Sequence, residues 1–213
     1  MGRRDNMKKY LVSIFIILIS IVIGLIALPN LTDELPIHWT QGEADIFVSK
    51  FVAIFIIPFF MLVTSISIIV MDKIQNNKRN SKTINTINNI SLLFMFAIQL
   101  FIISVGLEIE LNSDLFMGII IGGIITLVAN PMQKTKPNAL YGLRTPWTLK
   151  DERVWTKANR FAGKLLFVVG ILIIGLSFVV PDSISIISIL LILVTAFIAV
   201  MYSYLIYRRL NLS

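Results

Sequence analysis

Six long apolar runs divide this sequence, and they constrain its fold more than any other feature. They occupy approximately residues 10–28, 51–71, 90–107, 115–130, 165–180 and 184–207. A helix needs about 20 mostly apolar residues to cross the hydrocarbon core of a bilayer. Across the 213 residues, 56% are hydrophobic and only 15% are charged, which is unlike a soluble domain. The sequence therefore predicts an all-α integral membrane protein, built as a bundle of six transmembrane helices.

The basic residues are sorted between alternate loops of this bundle. Eighteen of the 19 Lys and Arg residues fall in the N-terminal segment, in the loops after the second and fourth runs, or after the sixth run. Only Lys50 lies on the other side. Because basic residues favour the cytoplasmic side, both termini are predicted to be cytoplasmic. The net charge of +7 is then an orientation signal, and no direct binding of nucleic acid is predicted.

The interiors of the predicted spans exclude some functions. They contain no Asp, Glu, Lys, Arg or His away from their ends, and the chain has no Cys. Ionisable groups inside a membrane usually mark ion or proton pathways, so their absence argues against a pump or a proton-coupled transporter. Gln99 is expected to form a hydrogen bond between helices, and Gly118, Gly122 and Gly123 are expected to allow close helix packing.

Residues 29–50 form the outer connection between the first two spans and are expected to make a structured loop. Pro36 favours an extended backbone, Trp39 suits the membrane interface, and Gly42 allows a tight turn.

Three further residues of this loop have side chains suited to a metal or to acid–base chemistry. They are His38, Glu43 and Asp45. A single His is weak support for either role, so we expect instead a hydrogen bond that organises the loop, or an ion pair with Lys50. No catalytic residue, metal or cofactor is predicted.

The inner segment after the fourth span is the second informative region. Gly142 and Pro146 constrain the backbone ahead of a predicted helix, with Thr148 as its N-cap and Asp151 at its third position. At 100° per residue, one narrow stripe of this helix holds Arg153, Lys157, Arg160 and Lys164. The pattern predicts a basic, amphipathic cytoplasmic helix between the fourth and fifth spans. Such a helix can lie on anionic lipid or dock a cytoplasmic partner, and both alternatives stay open.

Two strings in these segments resemble a known family. The inner string is Tyr141, Gly142, Leu143, Arg144, Thr145, Pro146, Trp147, Thr148 and Leu149, followed by Trp155, Asn159, Arg160 and Gly163. The outer string is Leu35, Pro36, Ile37, His38 and Trp39, followed by Gly42, Asp45 and Lys50. They are similar to the signature of the SdpI/YfhL family of bacterial membrane immunity proteins and to the small domain that often precedes it. Ala44 stands where that domain often has proline.

The resemblance implies a function that composition does not supply. Family members protect a bacterial cell, at its plasma membrane, from its own secreted peptide toxin. The resemblance also implies a toxin receptor that holds a small DNA-binding repressor at the membrane. It divides the chain into an N-terminal two-helix unit, residues 1–75, and a four-helix unit, residues 76–213.

The resemblance also implies which residues carry these roles. The toxin side would use Pro36, His38, Trp39, Gly42, Glu43, Asp45 and Lys50. The cytoplasmic partner would use Gly142, Arg144, Thr145, Pro146, Trp147, Thr148, Asp151, Trp155, Asn159 and Arg160. The alternatives are an exporter of the toxin, a membrane enzyme that uses the outer His and acids, and immunity without signalling.

Overall fold

A computed structural model describes residues 2–40, 43–74, 81–138 and 140–211 of the chain. Its helices are α1 (Gly2–Ala27), α2 (Lys50–Ile74), α3 (Ser81–Gly106), α4 (Ser113–Met132), α5 (Pro146–Lys150), α6 (Glu152–Val179) and α7 (Ile184–Asn211). All except the five-residue α5 are long and apolar enough to cross a membrane. The prediction of six spans is thus confirmed, and the chain is a multi-pass membrane protein.

Two helices begin earlier than predicted. Helix α1 starts at Gly2 and α3 at Ser81, whereas the apolar runs begin near residues 10 and 90. The apolar length defines only the part of a helix that needs lipid, and helical hydrogen bonding continues into the polar residues before it.

The outer connection, which was expected to be a structured loop, is a β-hairpin that the predicted all-α fold class did not include. Strand β1 (Glu34–Thr40) pairs antiparallel with β2 (Glu43–Ser49), and the register is irregular around His38. Leu35, which is fully buried, Ile37 and Trp39 pack into one hydrophobic cluster, while His38 and Thr40 are exposed. Strand pairing satisfies the backbone groups of this segment while its apolar side chains pack on the helices.

The hairpin lies on the ends of α2 and α3. The Thr32 N–H donates to the carbonyl oxygen of Gly106 at 3.1 Å, and the Lys50 N–H donates to that of Asp33 at 2.9 Å. A Cβ atom at Gly106 would lie 2.9 Å from a methyl group of Leu31. The C-terminal end of α3 is therefore in close contact with the chain that leads into the hairpin.

The basic amphipathic helix was predicted as an element separate from the fifth span, and this separation is wrong. Residues 152–179 form one continuous helix, so the basic stripe is the first part of α6 and not an independent element. Thr148 is not the N-cap: Thr145 caps α5, and Asp151 caps α6. Two helices begin within a few residues of each other, and the first backbone N–H groups of each need a cap. The structure therefore has two N-caps, whereas the sequence predicted one.

The spans pack as two groups of three. Helices α1, α2 and α3 pack together, α4, α6 and α7 pack together, and α3 also contacts α4. Within the first group the Gln99 amide donates to the Ser20 carbonyl oxygen at 3.1 Å, and the Ser20 hydroxyl donates to the Gln99 amide oxygen. The predicted interhelical hydrogen bond of Gln99 is confirmed.

Small residues line the contact between α4 and α6. A Cβ atom at Gly122 would lie 2.6 Å from the carbonyl oxygen of Gly170, and one at Gly163 would lie 2.7 Å from that of Ala129. Gly118 faces Ser177 in the same way, whereas a Cβ at Gly123 would meet nothing within 4 Å. Close packing is thus confirmed for Gly118 and Gly122 but not for Gly123.

Candidate functional site

The hairpin carries a hydrogen-bonded cluster centred on Asp45. Its Oδ1 accepts from Nδ1 of His38 at 2.7 Å, and its Oδ2 accepts from the Thr40 hydroxyl at 2.5 Å. The Thr40 hydrogen bond and then the His38 hydrogen bond hold the pKa of Asp45 below its usual value of 3.8. The cluster joins β1 to β2, so the expected loop-organising hydrogen bond of His38 is confirmed, with Asp45 as its partner.

Lys50 stabilises the base of the hairpin, where it forms an ion pair with Asp33. Its ammonium group lies 3.0 Å from Oδ1 of Asp33 and donates to the Leu31 carbonyl oxygen at 3.2 Å. Only 20% of its side chain is exposed. Lys50 therefore stabilises the hairpin, and little of its side chain is accessible to a partner.

An aromatic row connects the hairpin to the second group of helices. The Trp39 ring centroid lies 5.1 Å from that of Phe101 in α3, and Phe101 stacks on Phe116 in the first turns of α4 at 4.4 Å. Phe101 is only 2% exposed. Such aromatic contacts add to the stabilisation that comes from burial alone.

The accessible surface of the hairpin combines acids with apolar side chains. His38, Glu43 and Asp45 are exposed, and so are Ile46 and Phe47, each about half exposed. Pro36 is buried, and Gly42 lies outside the described residues. Sequence reasoning missed Ile46 and Phe47, because their exposure follows from the strand pairing that was not predicted.

At the other end of the bundle, Asn138 organises the turn that leads into the inner string. Its amide oxygen accepts from the N–H groups of Leu140 and Tyr141, each at 2.8 Å, and its amide nitrogen donates to the Tyr141 carbonyl oxygen at 3.0 Å. The Tyr141 hydroxyl donates to the Val128 carbonyl oxygen in the last turns of α4. Burial raises the pKa of Tyr141. Neither Asn138 nor the role of Tyr141 was predicted.

Gly142, Trp155 and Asn159 form one buried contact. Gly142 has a φ of +110°, and a Cβ there would lie 2.5 Å from Oδ1 of Asn159 and 3.0 Å from the Trp155 ring. Trp155 is fully buried and its indole N–H donates to the Thr135 carbonyl oxygen at 2.9 Å. These three predicted partner-binding residues are brought together, but in the interior and not on the surface.

Thr145, Thr148 and Trp147 hold α5 in place. The Thr148 N–H donates to the Thr145 hydroxyl at 3.2 Å, and the Thr145 N–H donates to the Thr148 hydroxyl at 2.8 Å, which is a reciprocal capping box. The Trp147 indole N–H donates to the Ser203 hydroxyl at 2.8 Å, and the ring meets that of Tyr204 edge-on at 5.4 Å. The inner string is therefore tied to the last turns of α7.

Asp151 caps α6 and engages a basic residue of the stripe. It accepts from the Arg153 N–H at 2.7 Å, and Oδ2 lies 2.8 Å from the Arg153 guanidinium. These hydrogen bonds from Arg153 lower the pKa of Asp151 from 3.8 to about 2. Arg153 thus has an anionic partner within its own helix, which reduces its contribution to the positive surface.

The accessible part of the inner string is small and mostly basic. Exposed side chains are those of Arg144, Pro146, Leu149, Lys150, Glu152, Arg153, Lys157, Arg160 and Lys164, and Glu152 is the acid among them. Residues on the adjoining face of α6 are buried, among them Val154, Trp155, Ala158 and Ala162. In the N-terminal part of α6, the exposed basic residues of the stripe thus lie beside buried apolar residues.

The two ends of the bundle differ in the surfaces that they present. In the described ranges, no three His, Asp or Glu side chains lie close enough together to hold a metal ion. Both ends instead present surfaces: an acidic and apolar one on the hairpin, and a basic one beside α5 and α6. Such surfaces can bind partners of complementary charge.

Comparison with known proteins adds two family matches and two relatives. Residues 134–206 match the SdpI/YfhL protein family, and residues 15–62 match a domain of unknown function, DUF1648. The chain is 38% identical over 205 residues to the Immunity protein SdpI of Bacillus subtilis (strain 168), covering 96% of this chain and 99% of that protein.

A second relative is more distant. The chain is 28% identical over 86 residues to the uncharacterized protein YfhL of the same organism, covering 38% of this chain and 78% of YfhL. No solved structure matches the chain significantly.

Proposed function

The chain belongs to the SdpI/YfhL protein family, and we propose on this basis that it is an immunity protein of the bacterial plasma membrane, which protects its cell from a secreted peptide toxin. The observation that carries this proposal is the similarity to an immunity protein over 96% of the chain, which includes both the hairpin and the inner string. Protection then needs binding and not covalent chemistry, and the protein is not an enzyme.

The orientation proposed here places the hairpin outside the cell and both termini inside. The charge sorting of the loops supports it. Because the chain has no Cys, a single introduced thiol reports its own accessibility. In intact cells, a membrane-impermeant maleimide is expected to label Glu43→Cys but not Lys150→Cys. Labelling of Lys150→Cys before permeabilisation would reverse the orientation.

The hairpin is the proposed contact for the toxin. Its end of the bundle carries Asp33, Glu34, Glu43, Asp45, Glu108, Glu110, Asp114 and Asp182, and Lys50 is already paired with Asp33. The exposed Ile46 and Phe47 add apolar surface. This combination favours a peptide that is both apolar and cationic.

The survival of a toxin-sensitive cell tests the toxin contact. Phe47→Ser removes half-exposed apolar surface from the hairpin and is expected to lower protection. The matched control is Leu149→Ser, which makes a similar change at a side chain 46% exposed at the opposite end. Equal protection by both variants, at equal amounts in the membrane, would contradict the assignment.

The inner surface is the proposed contact for a small DNA-binding repressor, which the toxin-bound protein holds at the membrane. The exposed Arg144, Pro146 and Lys150 support this role, since they stand on a turn fixed by buried hydrogen bonds and by Trp147. A rigid turn loses little conformational entropy on binding. The neighbouring stripe on α6 is expected to lie near anionic lipid of the inner leaflet.

Recruitment of a fluorescent repressor to the membrane tests this contact. Arg144→Ala is expected to reduce recruitment while protection against toxin is retained. Lys134→Ala is the control, because Lys134 is an exposed basic residue at the same end but outside the inner string. If both variants recruit the repressor like the wild type, Arg144 is not part of the contact.

Signalling also needs a physical connection between the two ends. The row Trp39, Phe101 and Phe116 joins the hairpin to the start of α4, and the Tyr141 hydroxyl joins the end of α4 to the inner string. Phe116 and Met132 are separated by about 24 Å along this helix. We propose α4 as the element whose position the toxin changes. Coupling of this kind requires that toxin and repressor favour the same state.

A further inference from the structure

A groove between α6 and α7, at the end of the bundle that holds the inner string, combines charge with apolar surface. It has a volume of about 320 Å³ and is lined by Lys157, Tyr202, Leu205, Ile206, Arg209 and Leu210. Lys157 stands on α6, while the five other residues belong to the last three turns of α7. The two cations therefore lie on opposite walls, and none of the described residues that line the groove is acidic.

The basic stripe contributes unequally to this groove. Arg153 is engaged by Asp151, through contacts of 2.8 Å and 3.2 Å. Lys157, one turn further along, is exposed and turns toward α7. Lys164 belongs to the same stripe but does not line the groove. Among these three residues of the stripe, Lys157 is the cation that lines the groove.

The apolar part of the groove continues toward the middle of the membrane. Phe161 of α6 stacks on Tyr202 of α7, with ring centroids 4.0 Å apart, and this pair bridges the two helices beyond Lys157. Leu205 is 58% exposed, and Met201 and Ile198 extend the exposed apolar surface along α7. Lys157 and Arg209 lie near the ends of their spans, where the polar headgroups of a bilayer are found.

We propose that this groove binds one anionic phospholipid, with its phosphate between Lys157 and Arg209 and an acyl chain along Leu205 and Ile206. A phospholipid places its negative charge and its apolar chains at the depths where the groove has cations and apolar side chains. An acidic segment of a soluble protein would satisfy the cations but leave the apolar surface facing it unused. The proposal goes beyond immunity, because it assigns a bound lipid that holds α7 against α6.

The test uses the purified full-length chain in detergent micelles, with phosphatidylglycerol as the anionic probe and phosphatidylcholine as the zwitterionic one. Bound lipid is counted by native mass spectrometry, and the melting temperature is followed during titration. Wild-type protein is expected to retain one phosphatidylglycerol and to melt at a higher temperature in its presence. Phosphatidylcholine should have little effect.

Matched substitutions separate the groove from general surface attraction. Lys157→Gln should weaken the binding of phosphatidylglycerol about fivefold, since one basic residue near anionic lipid contributes about 1 kcal/mol. Lys164→Gln removes the same charge from the same stripe and should change binding less than twofold, and Lys157→Arg should retain it.

Three results would overturn the proposal. The first is equal retention of phosphatidylglycerol and phosphatidylcholine by the wild-type chain. This result is expected if the groove binds an acidic protein segment instead of a lipid, and it can be obtained without any variant. The second is an equal loss in Lys157→Gln and Lys164→Gln, and the third is a failure of Lys157→Arg to bind. None of these results bears on protection against toxin, so the immunity proposal is tested separately.

Discussion

The side-chain oxygen of Asn159 accepts a hydrogen bond from the backbone N–H of Leu143 at 2.6 Å, although the two residues lie 16 positions apart. The same side chain donates to the Trp155 carbonyl oxygen at 3.0 Å and is only 1% exposed. Asn159 therefore fixes the inner string onto α6. Its polar groups are used within the protein and are not available to a partner.

Replacing this side chain should destabilise the inner end. Asn159→Ala leaves the Leu143 N–H without its acceptor in a buried place, which costs about 1–3 kcal/mol. We expect a lower melting temperature in detergent micelles. Asn130→Ala is the control, because Asn130 is exposed at the end of α4, and it should melt like the wild type. If the two variants melted alike, the hydrogen bond would contribute no measurable stability.

Gly142 should tolerate no side chain. Gly142→Ala puts a Cβ at a φ of +110°, with Asn159 and Trp155 within 3.0 Å, so we expect a loss of about 2 kcal/mol or more. The matched control is Gly175→Ala in α6, where a Cβ meets nothing within 4 Å. Thermal unfolding of both variants measures the difference. A Gly142→Ala variant as stable as Gly175→Ala would show that the turn adapts.

Two adjacent glycines of α4 should respond differently. Gly122→Ala pushes a methyl group to 2.6 Å from the Gly170 backbone oxygen, which cannot move without separating α4 from α6, and overpacking of this kind costs about 1–3 kcal/mol. Gly123→Ala points into open space at the same depth. Resistance to unfolding in increasing concentrations of a denaturing detergent should therefore fall for Gly122→Ala only. Equal resistance would mean that the seam between the helices is not tightly packed.

The stability that the Asp151 cap gives to α6 should depend on pH between about 2 and 4. The pKa of Asp151 falls from 3.8 to about 2 in the folded protein because Arg153 stabilises the carboxylate. Its contribution is then fully present above about pH 4 and is lost as the pH falls toward 2. The melting temperatures of wild type and Asp151→Asn should differ at pH 7, differ less at pH 3 and converge near pH 2.

The exposed carboxylate of Asp182 offers a comparison for this effect. Asp182→Asn removes an exposed carboxylate from the other end of the bundle and should melt like the wild type at pH 7. A gap between wild type and Asp151→Asn that stayed constant down to pH 2 would mean that the charge of Asp151 is not what stabilises the cap.

The sequence predicted the membrane-spanning helices well, because length and apolar composition decide which helices can cross a bilayer. The hairpin was missed because short strands such as Leu35 to Trp39 become stable only when they pair and pack, and the α3 residues on which they pack are distant in sequence. The caps of α5 and α6 were misassigned for a local reason: Thr145, Thr148 and Asp151 are all good N-cap residues.

The inner string was located correctly, but the positions of its side chains were not foreseeable. Trp155 and Asn159 are buried because the turn after α4 folds back over α6, a tertiary relation set by Asn138 and Thr135. The helical pattern did separate the buried face of α6 from its basic stripe, since both faces follow from the 3.6-residue period. To predict which residues of the inner string are exposed, one therefore needs the packing of the turn as well as its sequence.

The membrane potential of a challenged cell tests the central claim most directly. A toxin-sensitive bacterium would express either this chain or an empty vector, with the amount of chain in the membrane measured, and a voltage-sensitive dye would follow the cell after the toxin is added. If the chain is an immunity protein, cells that contain it keep their potential while control cells depolarise. Depolarisation at the same rate in both, with the chain present in the membrane, would contradict the account.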